Sequence, residues 1–158
     1  MRLRFDAKRA APLVAVLLCL GGCGEGRGDR SEPLKAGLTE SSERLEFFRT
    51  QHPTLELIKW VEEDLNADGR KDLVVMYRVD ADHNGMRVIL DLGGTYFETN
   101  EVPAPYSDQV IQFRDIDQKP PMEFIVQGAR GVKMGFAVFR IEENRLVDLF
   151  GEGMRDCC

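Results

Sequence analysis

Hydrophobic and polar positions along the chain change pattern three times. Basic residues Arg2, Arg4, Lys8 and Arg9 precede an unbroken apolar run at residues 13–20, and a Gly-, Ser- and charge-rich stretch continues to residue 37. Residues 39–51 then place Leu45, Phe47 and Phe48 on one helical face, which Leu38 can extend. Thr39 is the candidate cap, with Ser42 or Glu43 in the first turn. Pro53 closes the helix, because its ring clashes with the preceding turn and it has no N–H to donate.

Beyond Pro53 the pattern is that of strands. Residues 55–61 alternate loosely, and residues 73–79 form the continuous apolar run of a strand covered on both faces. Residues 87–92 and 95–99 flank Gly93-Gly94, a hairpin signal. Residues 110–114 and 123–128 make a further pair, and residues 132–141 and 145–150 flank Glu142-Glu143-Asn144. These pieces recur at an offset of 51 residues: Asp64 falls on Asp115, Asn66 on Asp117, Asp72 on Glu123, and Leu73-Val74-Val75 on Phe124-Ile125-Val126. Val88 and Leu90 fall on Phe139 and Ile141, and Gly93-Gly94 on Asn144-Arg145. The expected fold is therefore mainly β (α+β). An N-terminal helix packs on antiparallel sheets built from two units, residues 55–103 and 106–151, within one domain over residues 38–151. Two units cannot close a propeller, which needs at least four blades.

Composition narrows the class. The chain of 158 residues is 43% hydrophobic and 30% charged, which suits one globular domain and excludes both full disorder and a polytopic membrane protein. The opening stretch has the layout of a secretory leader, since its apolar run is too short for a spanning helix. Leu20-Gly21-Gly22-Cys23 resembles the bacterial lipobox, which implies cleavage after residue 22, lipidation of Cys23 and a tether over residues 23–37. The expected location is the extracytoplasmic face of a bacterial cell envelope. Removing residues 1–22 takes away four basic residues and one acidic one, so the net charge moves from −6 to −9. Such a surface repels nucleic acid.

The sharpest internal motif is Asp64-Leu65-Asn66-Ala67-Asp68-Gly69-Arg70-Lys71-Asp72. Side-chain oxygens of Asp64, Asn66, Asp68 and Asp72 stand at loop positions 1, 3, 5 and 9, and the Arg70 carbonyl can serve position 7. Hard cations such as Ca²⁺ take six to eight oxygens, so this spacing points to a structural Ca²⁺ site. It is not an EF-hand, because Val75 stands where the bidentate Glu belongs and a strand follows. The loop resembles those of FG-GAP and VCBS repeats. In the second copy, Lys119 and Pro120 stand in place of Asp68 and Gly69, which predicts an empty, structural loop. His52 and His83 read as solvated loop residues.

The four cysteines lie only at the ends. Cys19 leaves with the leader and Cys23 takes lipid, so Cys157 and Cys158 are the remaining thiols, on a tail over residues 152–158 that is expected to be flexible and exposed. Adjacent Cα atoms lie about 3.8 Å apart, shorter than disulfides prefer. A mutual disulfide would be strained, which leaves a dithiol or a dithiolate gripping one soft ion such as Hg²⁺, Cu⁺ or Zn²⁺. With two protein ligands the site is open and suits capture and hand-off of a two-coordinate ion. Asp156 is expected to raise the thiol pKa values.

A lipobox lipoprotein with the Asp64–Asp72 loop and a Cys157-Cys158 ending resembles the Cys-Cys-COOH (seleno)protein family SaoC. The resemblance implies an envelope accessory protein associated with an ABC transporter and a thioredoxin-like protein, handling mercury or another soft metal or organometal as cargo. Two other readings stand beside it: thiol–disulfide exchange with a thioredoxin-like partner, and a Ca²⁺-stabilised interaction module.

Overall fold

The computed structural model describes residues 42–158. The expected leader, Cys23, the tether and Thr39 lie outside the described residues. Ser42 caps the first helix, α1 (Glu43–Gln51): its Oγ accepts the Leu45 N–H at 3.2 Å. Glu43 and Glu46 in the first turn and Arg49 in the last complement the helix dipole. Leu45 and Phe48 are fully buried on one side, each worth about 2 kcal/mol of apolar burial.

Nine strands follow: β1 (Glu56–Glu63), β2 (Asp72–Arg78), β3 (Asn84–Asp91), β4 (Tyr96–Glu98), β5 (Val102–Ala104), β6 (Ser107–Arg114), β7 (Glu123–Arg130), β8 (Lys133–Glu142) and β9 (Arg145–Glu152). All neighbouring pairs are antiparallel, in two sheets. The first runs β1-β2-β3-β4, with β5 pairing the other end of β3; the second is the meander β6-β7-β8-β9. The protein is mainly β with one N-terminal helix, as the pattern predicts. No helix among the described residues is long and apolar enough to cross a membrane.

The continuous apolar run in β2 has a simple cause. Leu73, Val75 and Tyr77 pack with Leu45 and Phe48 of α1, whereas Val74 and Met76 pack against the second sheet. Both faces are buried, so both must be apolar. On the far side, Phe124, Val126, Ala137, Phe139 and Ile141 complete the core between the sheets.

The repeat extends to side-chain detail. Asp72 accepts the Leu65 N–H at 2.9 Å, and Glu123 accepts the Ile116 N–H at 2.9 Å. Asn66 Oδ1 accepts the Asp68 N–H, and Asp117 Oδ1 accepts the Lys119 N–H. Ala67 and Gln118, at φ 61° and 59°, occupy the same left-handed position. The offset is 51 only through β2 and β7. Val74 pairs with Val88, but Ile125 pairs with Val138, so from β3 and β8 onward the offset is 50. At that offset Gly93-Gly94 falls on Glu143-Asn144, and all four residues have positive φ. The equivalent of Leu90 is thus Arg140, not Ile141. A one-residue shift reverses which face a strand presents. With the correct register, the helix-facing residues of the first unit (Leu73, Val75, Ile89) correspond to the core-facing residues of the second (Phe124, Val126, Phe139). The units stack front to back.

The last seven residues depart from expectation. β9 runs to Glu152, Gly153 turns with φ 68°, and Met154–Cys157 form a short helix, α2. Residues 152–158 are a folded closing segment of the domain, not a flexible tail. Two features hold them down. The Tyr106 N–H donates to the Cys157 carbonyl at 2.9 Å, and α2 lies so close to β8 that a Cβ on Gly135 would sit 2.5 Å from the Gly153 backbone and 3.0 Å from Cys157 Sγ.

Candidate functional site

Cys157 is the last residue of α2 and Cys158 caps its C-terminus. Cys157 is fully buried and Cys158 half-buried, and neither is bonded through its sulfur. The expectation of two exposed thiols therefore fails for Cys157: packing against Gly135 buries it. The two Sγ atoms lie 3.6 Å apart. Two thiolates about 2.3 Å from one ion stand about 3.8 Å apart at the tetrahedral angle and about 4.6 Å apart when linear. The observed separation is that of a bent pair, so a strictly two-coordinate ion would have to spread it. Burial pushes the Cys158 thiol up to about 12, aided by its contact with Cys157 and opposed by Arg130. The direction matches the expectation, but the cause differs, because Asp156 is spent on Lys133 Nζ at 3.0 Å.

Arg130 orders this corner. Its Nη1 donates to the Cys158 carbonyl at 3.1 Å, its Nη2 donates to the Asp82 carbonyl, and its guanidinium lies 5.3 Å from the Tyr106 ring centre. Cys158 and Met154 line a cleft of about 520 Å³ with Val102, Pro103, Phe139 and His83. His83 holds Asp80 through Nδ1 at 2.8 Å, which fixes the ring. Sequence reasoning set His83 aside as a loop residue and gave Met154 no role. The Met-x-x-Cys spacing, one helical turn, was the available signal for Met154. Nothing local signalled His83, which reaches the cleft because the turn between β2 and β3 folds towards it.

The structure brings together only part of the predicted Ca²⁺ set. The Asp68 N–H is shared by Asp64 Oδ1 at 3.2 Å and Asn66 Oδ1 at 3.1 Å, and the Gly69 N–H donates to Asp64 Oδ2 at 2.9 Å. Asp68 accepts from Arg70 Nη2 at 2.7 Å. Asp72 stands apart: fully buried, it accepts the Leu65 N–H with one oxygen and the Asp91 N–H with the other, each at 2.9 Å. Burial raises its pKa. Asp64, Asn66 and Asp68 can supply oxygens to a hard cation only in exchange for these hydrogen bonds, whereas Asp72 is a backbone clip.

In the second loop Asp115, Asp117 and Glu123 converge, with carboxylate oxygens within 4.8 Å of one another. A guanidinium already serves them: Arg140 Nη1 lies 3.1 Å from both Asp117 Oδ2 and Glu123 Oε1. The charge that a metal would supply there comes from the chain itself. Compared with protein families, curated proteins and solved structures, the chain matches none.

Proposed function

We propose that this protein is an envelope-anchored accessory lipoprotein whose Cys157-Cys158 dithiol captures a soft metal or organometal and hands it to a transporter or thiol partner. The observation that carries this reading is the pair of unbonded sulfurs 3.6 Å apart, one buried and one reaching a cleft. Thiolate donors select soft ions over Ca²⁺ or Mg²⁺. An ion held by one buried and one half-exposed sulfur is open to attack by a partner's thiolate from the cleft side. The lipobox resemblance at Cys23 supports the anchor, and the resemblance to the SaoC family supports an ABC transporter and a thioredoxin-like protein as partners. Thiol–disulfide exchange is the weaker alternative, because a Cys158 thiol raised to about 12 supplies little attacking thiolate at neutral pH. A Ca²⁺ ion held by Asp64, Asn66, Asp68 and the Arg70 carbonyl would staple the β1–β2 turn and take no part in cargo chemistry.

The test is titration of the reduced, leader-cleaved and Cys23-lipidated protein with mercuric ion. Wild type takes up about one ion per chain, and the Cys157→Ser/Cys158→Ser double variant takes up none. Equal uptake by both proteins overturns the proposal.

A further inference from the structure

The third sulfur of α2 goes beyond the dithiol. Met154 Sδ lies 3.7 Å from Cys157 Sγ, almost the same distance as Cys158 Sγ at 3.6 Å. The three sulfurs form a chain with the buried Cys157 at its centre. The helix produces this grouping, since residues three apart share a face and the next residue flanks it. The α2 backbone that carries the three side chains is held by the Cys158 N–H to the Met154 carbonyl at 3.1 Å and by Tyr106 on Cys157. Met154 and Cys158 both line the cleft, which gives an ion a route in.

We infer that Met154, Cys157 and Cys158 form a three-sulfur site for a monovalent soft cation of the Cu⁺ type. This rests on the dithiol reading and deepens it by naming a third ligand and an ion class. Three sulfurs about 2.3 Å from one ion stand about 4.0 Å apart in a trigonal plane and about 3.8 Å apart on tetrahedral edges. The two measured separations need only a few tenths of an ångström of adjustment to meet either, and a linear pair needs about 1 Å. The donor chemistry points the same way. A thioether is neutral and soft: Cys and Met together select Cu⁺, whereas Zn²⁺ sites draw on Cys, His and carboxylates. Binding balances as one Cu⁺ in and the two thiol protons out to solvent, with no change in oxidation state.

The experiment uses the reduced, leader-cleaved and Cys23-lipidated protein in detergent, with Cu⁺ supplied from a chromophoric chelator, and compares wild type, Met154→Leu and the Cys157→Ser/Cys158→Ser variant. Leucine nearly matches methionine in volume, and a thermal melt confirms that the variant is folded. We expect Met154→Leu to weaken Cu⁺ binding at least tenfold and to reduce the sulfur count in copper X-ray absorption from three to two. Mercuric ion uptake stays at about one per chain, because two thiolates suffice for it. Unchanged Cu⁺ affinity and sulfur count in Met154→Leu overturn the three-sulfur site and leave the dithiol reading standing. Wild-type binding of both ions by the double cysteine variant overturns the dithiol reading as well.

Discussion

The first and second four-stranded units share one backbone plan but occupy different places in the stack. The first has α1 on one face and the second sheet on the other. The second is covered on one face only, among the described residues. The equivalent positions show the consequence. Val74, Met76, Val88 and Leu90 are fully buried between the sheets, and their counterparts are Ile125, Gln127, Val138 and Arg140, none fully buried. Two of the four have become polar at the end of the stack, where water is the neighbour. Arg140 also changes the loop beside it, because a guanidinium in place of Leu90 can reach Asp117 and Glu123. The first loop has no such donor from β3, and its Asp64 accepts only backbone N–H groups. The same loop geometry is thus bridged across Asp117 and Glu123 by Arg140 in one unit, whereas in the other the guanidinium of Arg70 reaches Asp68 alone of the loop carboxylates and Asp64 keeps only backbone donors.

The sharpest way to break this comparison is at the buried acids. Asp72→Ala orphans two N–H groups and should cost about 3 kcal/mol in urea unfolding at unchanged m-value. Glu123→Ala orphans one N–H and releases a half-exposed Arg140, for about 2 kcal/mol. A larger loss at Glu123 would contradict the double backbone clip assigned to Asp72 in the first unit. Gly135→Ala comes next. Its Cβ meets the Gly153 backbone, so α2 must move, at about 2 kcal/mol and with Cys157 alkylation faster on the order of tenfold. Slow alkylation in that variant would show that the closing segment does not depend on this approach. The equivalent position in the first unit, Gly85, faces only the Tyr77 ring. The smallest effect concerns Ca²⁺: tenfold above its dissociation constant it should stabilise wild type by about 1.4 kcal/mol. Asp68→Ala should abolish that gain and Asp117→Ala should not, and a gain retained in Asp68→Ala would remove Ca²⁺ from the first loop.

The strand runs, the helix ending before Pro53 and the two-unit plan were all legible in the chain. Each depends on local periodicity or on turn residues such as Gly93-Gly94 and Asn144. The shift from 51 to 50 was not, since residues 84–91 and 133–142 read as strands at either offset and only pairing fixes the register. β5 was missed because three residues around Pro103 carry no alternation.

For the candidate site, the sequence by itself determined the chemistry: two adjacent thiols, a Met three residues before the first, and an Asp/Asn loop in the first unit. Only the tertiary structure decided which of these atoms meet. It buried Cys157 through the close approach that Gly135 allows, turned Asp72 from the loop to two backbone amides, and brought His83 to the cleft beside Cys158. The reason is physical: residue type sets what a side chain can bind, whereas burial and distance depend on segments that pack together from far apart in the chain.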